Sequence, residues 1–183
     1  HSHDLQRWFV KELVPAQAEH LIDSFLRFAT YVGAREHVMQ WMSELRQSLD
    51  YLQTRNDVAM EKIAYQGISN GAVWAPIFLA LEPRLRIAIL PLGGLLPTPL
   101  HDTPMPPEID GLNYAPRVTQ PVLMLNGRSD AIFSYELAQV PLFRLLGTPS
   151  QNKEHKTYPG GHSSFGWQNE LIKESLNWLD RWF

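Results

Sequence analysis

Ser69, Asp130 and His162 follow one another in the chain, each just beyond the end of a different apolar or extended run. A serine hydroxyl becomes a nucleophile when an imidazole takes its proton, and a carboxylate fixes the tautomer of that imidazole. Acyl transfer is the chemistry these three types can do together. Ser69 lies within Gly67-Ile68-Ser69-Asn70-Gly71, preceded by the apolar run Ile63-Ala64-Tyr65 and followed by a helix-like stretch from Ala72 to Leu81. A strand, a tight Gly-x-Ser-x-Gly turn and a helix, in that order, form the pattern of a nucleophile elbow. The serine then sits on a strained turn with its hydroxyl lifted above the sheet edge, so small neighbours are expected on both sides. The same turn aims the Asn70 N–H, at the positive end of the following helix, toward the place where an acyl oxyanion would form.

The elements that must position these residues can be read outward from them. Asp130 ends a loop, Asn126-Gly127-Arg128-Ser129-Asp130, that leaves the buried-strand run Pro121 to Leu125 (PVLML). His162 follows Pro159-Gly160-Gly161, at the end of a polar, edge-like run from Lys153 to Tyr158. Leu85 to Leu92 reads as a further buried strand closed by Gly93-Gly94. Helical patterns cover Ala72 to Leu81, Tyr135 to Leu146 and Leu171 to Phe183. Four strands alternating with helices predict a parallel, right-handed α/β arrangement. Loops at the carboxyl ends of such strands share one rim, where residues far apart in sequence can meet. Before Ile63 the pattern is helical throughout: Leu5 to Leu13, then Leu21 to Val32 with Gly33 as a stop, then Val38 to Leu52 ending near Thr54. The expected organisation is one domain over 1–183, with 1–55 helical and 56–183 the α/β core. Leu96 to Val118 is proline-rich, with a short helix near Leu112 to Ala115, and a loop of that length lines a site or is mobile.

With GISNG at 67–71, PVLMLNGRSD at 121–130 and YPGGH at 158–162, the sequence resembles the α/β-hydrolase superfamily from about Arg35 to the C-terminus. It is most similar to the branches typified by dienelactone hydrolases, acetyl xylan esterases and the prolyl-oligopeptidase group. The resemblance implies Ser69 as nucleophile, His162 as base, Asp130 as the orienting acid and no cofactor. Dienelactone hydrolases use a cysteine nucleophile, whereas this chain has no cysteine, so the likeness points to ester chemistry and not to that activity. The expected function is a serine hydrolase cleaving a carboxylic ester through an acyl-enzyme. Its alternatives are a serine peptidase using the same residues and a non-catalytic docking or regulatory module of this fold.

Other residues compete for these roles. Asp102 and Asp110 are rival acids placed in the irregular loop, and Glu136 reads as a first-turn helix carboxylate. His20, His37 and His155 read as packed or solvated. His101-Asp102 and His1-x-His3 invite a metal reading, but neither has a third ligand at a known spacing. Trp74 and Trp167 flank the site in sequence and are expected to line its pocket rather than only to pack.

Composition bounds the rest. A net charge of −3 over 183 residues gives no electrostatic reason for a nucleic-acid or anionic-membrane partner. No apolar stretch approaches a membrane span and no signal-peptide pattern opens the chain. A small-molecule ester partner and a soluble protein are therefore expected, with the cytoplasm as the default compartment. In the superfamily the elbow follows the fifth strand of a larger sheet, and an earlier loop supplies a second oxyanion donor. The chain is thus expected to be the C-terminal portion of a larger domain. The strand carrying Ile63 would then be a long apolar edge, covered by the opening helices, by a missing N-terminal segment or by a second copy in a homo-oligomer.

Overall fold

A computed structural model describes residues 31–96, 105–164 and 166–183. The helical patterns before Tyr31, the histidines at 1, 3, 20 and 101, and Asp102 lie outside the described residues.

The longest helix among the described residues, α1 (Tyr31–Gln53), precedes the four described strands. Then come β1 (Ala64–Gln66), α2 (Asn70–Leu81) and β2 (Ile87–Pro91). A four-residue helix, α3 (Gly111–Tyr114), leads into β3 (Val122–Gly127). A single π-helical turn (Tyr135–Gln139) runs into α4 (Val140–Leu145), and β4 (Lys153–Tyr158) and α5 (Gln168–Trp182) close the chain. The sheet order is β1-β2-β3-β4 and all pairings are parallel. Every residue of β2 and β3 is buried, as the near-continuous apolar runs of central parallel strands require.

Side-chain alternation divides the core in two. Ala88 and Leu90 of β2, with Val122 and Met124 of β3, face a cluster built with α1, α2 and α4. Ile87, Ile89, Leu123 and Leu125 face the other way, against Trp167 and Trp178 on and beside α5. Helix α2 is apolar on nearly every side and is buried from Ala72 to Leu79, as a helix enclosed by its neighbours must be. The α/β class and the four parallel strands agree with the sequence expectation.

Three details differ from it. Helix α1 runs through Gly33 instead of stopping there, and the Gly33 carbonyl is bonded by His37 Nδ1 at 2.7 Å. The segment from Tyr135 is not one α-helix. The Ser134 carbonyl accepts both the Ala138 and Gln139 N–H, and the Val140 N–H reaches back to Tyr135, so the first turn is wound in the wider register. The β1 edge is not long and apolar. It has three residues, Ala64, Tyr65 and Gln66, all partly or fully exposed, and the elbow turn follows directly.

Candidate active site

The elbow begins with β1, whose neighbour β2 holds both sides of the turn. The Gly67 N–H donates to the Ile89 carbonyl at 3.1 Å and the Ser69 N–H to the Pro91 carbonyl at 2.9 Å. Ser69 is forced to φ 52°, ψ −108°, a region that a side-chain-bearing residue avoids. It stands at the N-cap of α2, where a serine ordinarily spends its hydroxyl on the first amides of the helix. Here the Gly71 and Ala72 N–H groups bond the Ile68 and Ser69 carbonyls instead, and the hydroxyl makes no cap bond. Its Oγ lies 2.8 Å from His162 Nε2.

The Asn70 N–H, first in the helix, has no acceptor among the described residues. It points from a helix N-terminus that favours negative charge. The Asn70 side chain is turned to another task, accepting from Trp74 Nε1 at 3.0 Å. Trp74 is buried and packs 6.2 Å from Trp41, so it is a core residue that orients Asn70 rather than a pocket wall. Trp167 is likewise buried, stacked on Tyr158 at 4.6 Å.

Only one elbow glycine is sterically required. A Cβ on Gly67 would stand 2.5 Å from the Gly71 carbonyl oxygen, whereas one on Gly71 would meet only the Tyr65 hydroxyl at 3.8 Å, the backbone of its own helix aside. That hydroxyl donates to the Gly71 carbonyl at 2.7 Å, and burial pushes its pKa up to about 12.

Asp130 and His162 are brought together where β3 and β4 end. The Arg128 N–H bonds the Tyr158 carbonyl and the Ser129 N–H bonds the Gly160 carbonyl, both at 2.9 Å, so the ladder continues into the two loops. A Cβ on Gly127 would lie 2.1 Å from the Gly161 carbonyl oxygen, and only glycine lets the loops touch there. The Asp130 side chain is fully buried. Its Oδ1 accepts the N–H groups of Ile132 and Phe133 at 2.8 and 3.0 Å, and its Oδ2 lies 2.8 Å from His162 Nδ1. An ionised carboxylate can only accept, so Nδ1 carries a proton and a neutral ring leaves Nε2 free to accept from the serine hydroxyl. The Phe133 ring packs 5.5 Å from the imidazole.

The rival acid Asp110 caps α3 by accepting the Leu112 N–H, and Glu136 is exposed on the first turn after Ser134. His155 is packed, its ring between Tyr135 and Phe143, and burial lowers its pKa to about 4. Its Nε2 lies 3.2 Å from Asn126 Oδ1, and Asn126 Nδ2 donates to the Gly93 carbonyl. Phe133 and the buried Gln139, which bonds the Asp130 loop, were not singled out by sequence reasoning. Polar Gln139 between apolar Ala138 and Val140 is a signal that could have found it. Among the described residues no three His, Asp or Glu side chains gather as a metal site would need.

No family model matches the sequence, and no curated protein matches it. Solved structures do. The zinc-bound form of a cold-adapted esterase from an Arctic intertidal metagenomic library has a TM-score of 0.61 at 24% identity, covering 76% of this chain and 56% of that one. A candidate dienelactone hydrolase from Klebsiella pneumoniae has a TM-score of 0.63 at 17% identity, covering 78% and 61%. An acetyl xylan esterase from Paenibacillus sp. R4 has a TM-score of 0.60 at 19% identity, covering 75% and 52%. The chain spans less than two thirds of the length of each.

Proposed function

On the α/β-hydrolase fold that this chain shares with those structures, we propose that it carries the reacting groups of a serine hydrolase acting on carboxylic esters. The observation that carries the reading is the unbroken relay from Ser69 Oγ through His162 to the buried Asp130 carboxylate, with both links at 2.8 Å. In this reading the Ser69 hydroxyl attacks the acyl carbonyl while His162 Nε2 takes its proton. Asp130 keeps Nδ1 protonated and offsets the imidazolium charge. The tetrahedral oxyanion accepts the Asn70 N–H, the group with no other acceptor. The imidazolium then protonates the departing alkoxide, and water activated by the same imidazole releases the acid. Peptide amides would call on the same groups, because the relay itself does not choose the leaving group. The strained φ of Ser69 supports the assignment, since a structural turn at that position has no need of a serine at φ 52°.

Incubation with a fluorophosphonate probe, followed by peptide mapping, tests the nucleophile. Labelling at Ser69 that is lost in Ser69→Ala, together with turnover of a short-chain activated ester, is the expected result. A folded protein that neither labels nor turns over ester refutes the reading and leaves a docking module. Turnover of an amide substrate in preference to the ester would move the proposal to a peptidase.

A further inference from the structure

Gln139 is fully buried, and its amide makes two bonds that bracket the loop holding Asp130. Nε2 donates to the Gly127 carbonyl at 3.0 Å and to the Phe133 carbonyl at 2.8 Å. The two carbonyls stand at the first and last residues of the segment that carries the carboxylate. Each is tied to the relay by a second contact. The Asp130 N–H points at the same Gly127 carbonyl, at 3.4 Å. Phe133 donates its own N–H to Asp130 Oδ1 and lays its ring against His162. One side chain therefore fixes both peptide groups that set where the acid and the imidazole lie.

The fold makes a concession to hold it. Oε1 of Gln139 is buried with no hydrogen-bond partner among the described residues, a cost that a methionine of similar length would avoid. The π-helical turn from Tyr135 to Gln139 widens the register by one residue where Gln139 leaves it. Wide turns of this kind are uncommon and cluster at functional sites.

We propose that Gln139 is a positioning residue for the Asp130–His162 pair, acting through the Gly127 and Phe133 carbonyls. This rests on the serine-hydrolase reading of the same site, but the placement it describes is measurable without turnover. Gln139→Met keeps the length of the side chain and removes both donors, and Gln139→Asn keeps the amide but draws it back by one methylene. The far-downfield proton resonance of an imidazole N–H bonded to a carboxylate reports the His162–Asp130 link directly, with Asp130→Asn as its assignment control. In Gln139→Met that resonance should broaden or move upfield, while circular dichroism stays that of the folded protein. Gln139→Asn should fall between Met and wild type. The fluorophosphonate labelling rate and kcat for an activated ester should fall about tenfold to a hundredfold, the loss expected for a misplaced catalytic group, with KM little changed. In an Asp130→Asn background the same substitution should change the residual rate by less than about twofold, because the two act through one link. An unchanged resonance and labelling rate in folded Gln139→Met would overturn the proposal, as would an equal loss in both backgrounds. If wild type fails to label at Ser69, the hydrolase reading falls, and the resonance alone still decides the role of Gln139.

Discussion

Placing one methyl group at Gly127 tests how the Asp130 and His162 loops are held together. The Cβ of Gly127→Ala would lie 2.1 Å from the Gly161 carbonyl oxygen and 2.7 Å from that of Gly160, both backbone atoms, and a tolerable contact begins near 3.0 Å. The 160–162 loop must therefore recede by about 0.9 Å, and no rotamer change can absorb the move. Carried to His162, that shift stretches a 2.8 Å hydrogen bond to about 3.7 Å, outside the range in which it counts as one. Overpacking of this size costs about 1–3 kcal/mol of stability, and misplacement of a reacting group by about 1 Å costs roughly a hundredfold in rate. Thermal unfolding gives the first quantity, and the fluorophosphonate labelling rate at Ser69 gives the second. Gly161→Ala is the control, since among the described residues its Cβ would meet only the Ser129 carbonyl oxygen at an ordinary 3.6 Å. Wild-type labelling and stability in Gly127→Ala would refute the claim that glycine is needed for the loops to approach. An equal loss in Gly161→Ala would show that the loops respond to any added bulk.

The elbow glycines should separate in the same way. Gly67→Ala should abolish labelling or folding, whereas Gly71→Ala should keep labelling and gain up to about 1 kcal/mol from the better helix former, as read by denaturant midpoints. Asp130→Asn should stay folded, because its retained oxygen can still accept the Ile132 and Phe133 N–H groups, yet lose roughly 10⁴-fold in kcat as the wrong imidazole tautomer is favoured; a loss under tenfold would move the acid elsewhere. Burial holds the His155 pKa at about 4 in the folded protein, while the unfolded chain binds that proton near 6.5. Its contribution to stability is therefore present in full above about pH 6.5 and is lost as pH falls toward 4, by about 2 kcal/mol between pH 7.5 and 5. Urea unfolding of His155→Leu at both pH values should show that part of the pH dependence removed, and an unchanged dependence would contradict the burial argument.

What the sequence determined by itself is what local pattern can carry. Near-continuous apolar runs such as those of β2 and β3, bounded by turn residues, read as central parallel strands, and Gly67 to Gly71 between a strand and a helix reads as a tight turn. Those signals are short-range and obey fixed periods, so the class, the four parallel strands and Ser69, Asp130 and His162 as candidates were legible. Local pattern could not give the length of the β1 edge, because where a strand stops depends on how the next turn packs on its neighbour. It could not show that Gly33 continues a helix, since the penalty for glycine is about 1 kcal/mol and tertiary packing outweighs it. The π-helical turn after Ser134 was also hidden, as Tyr135 to Leu146 has an ordinary helical spacing. Trp74 and Trp167 were expected at a pocket because they lie near the site in sequence, and the fold instead turns both into the core. Tertiary structure alone decided that Gly127 abuts Gly161, that Phe133 leans on His162 and that Gln139 grips both ends of the acid loop. The first two join segments separated in the chain by α4 and β4, which the parallel pairing of β3 and β4 brings within reach, and the third closes a single loop through the wide turn that carries Gln139.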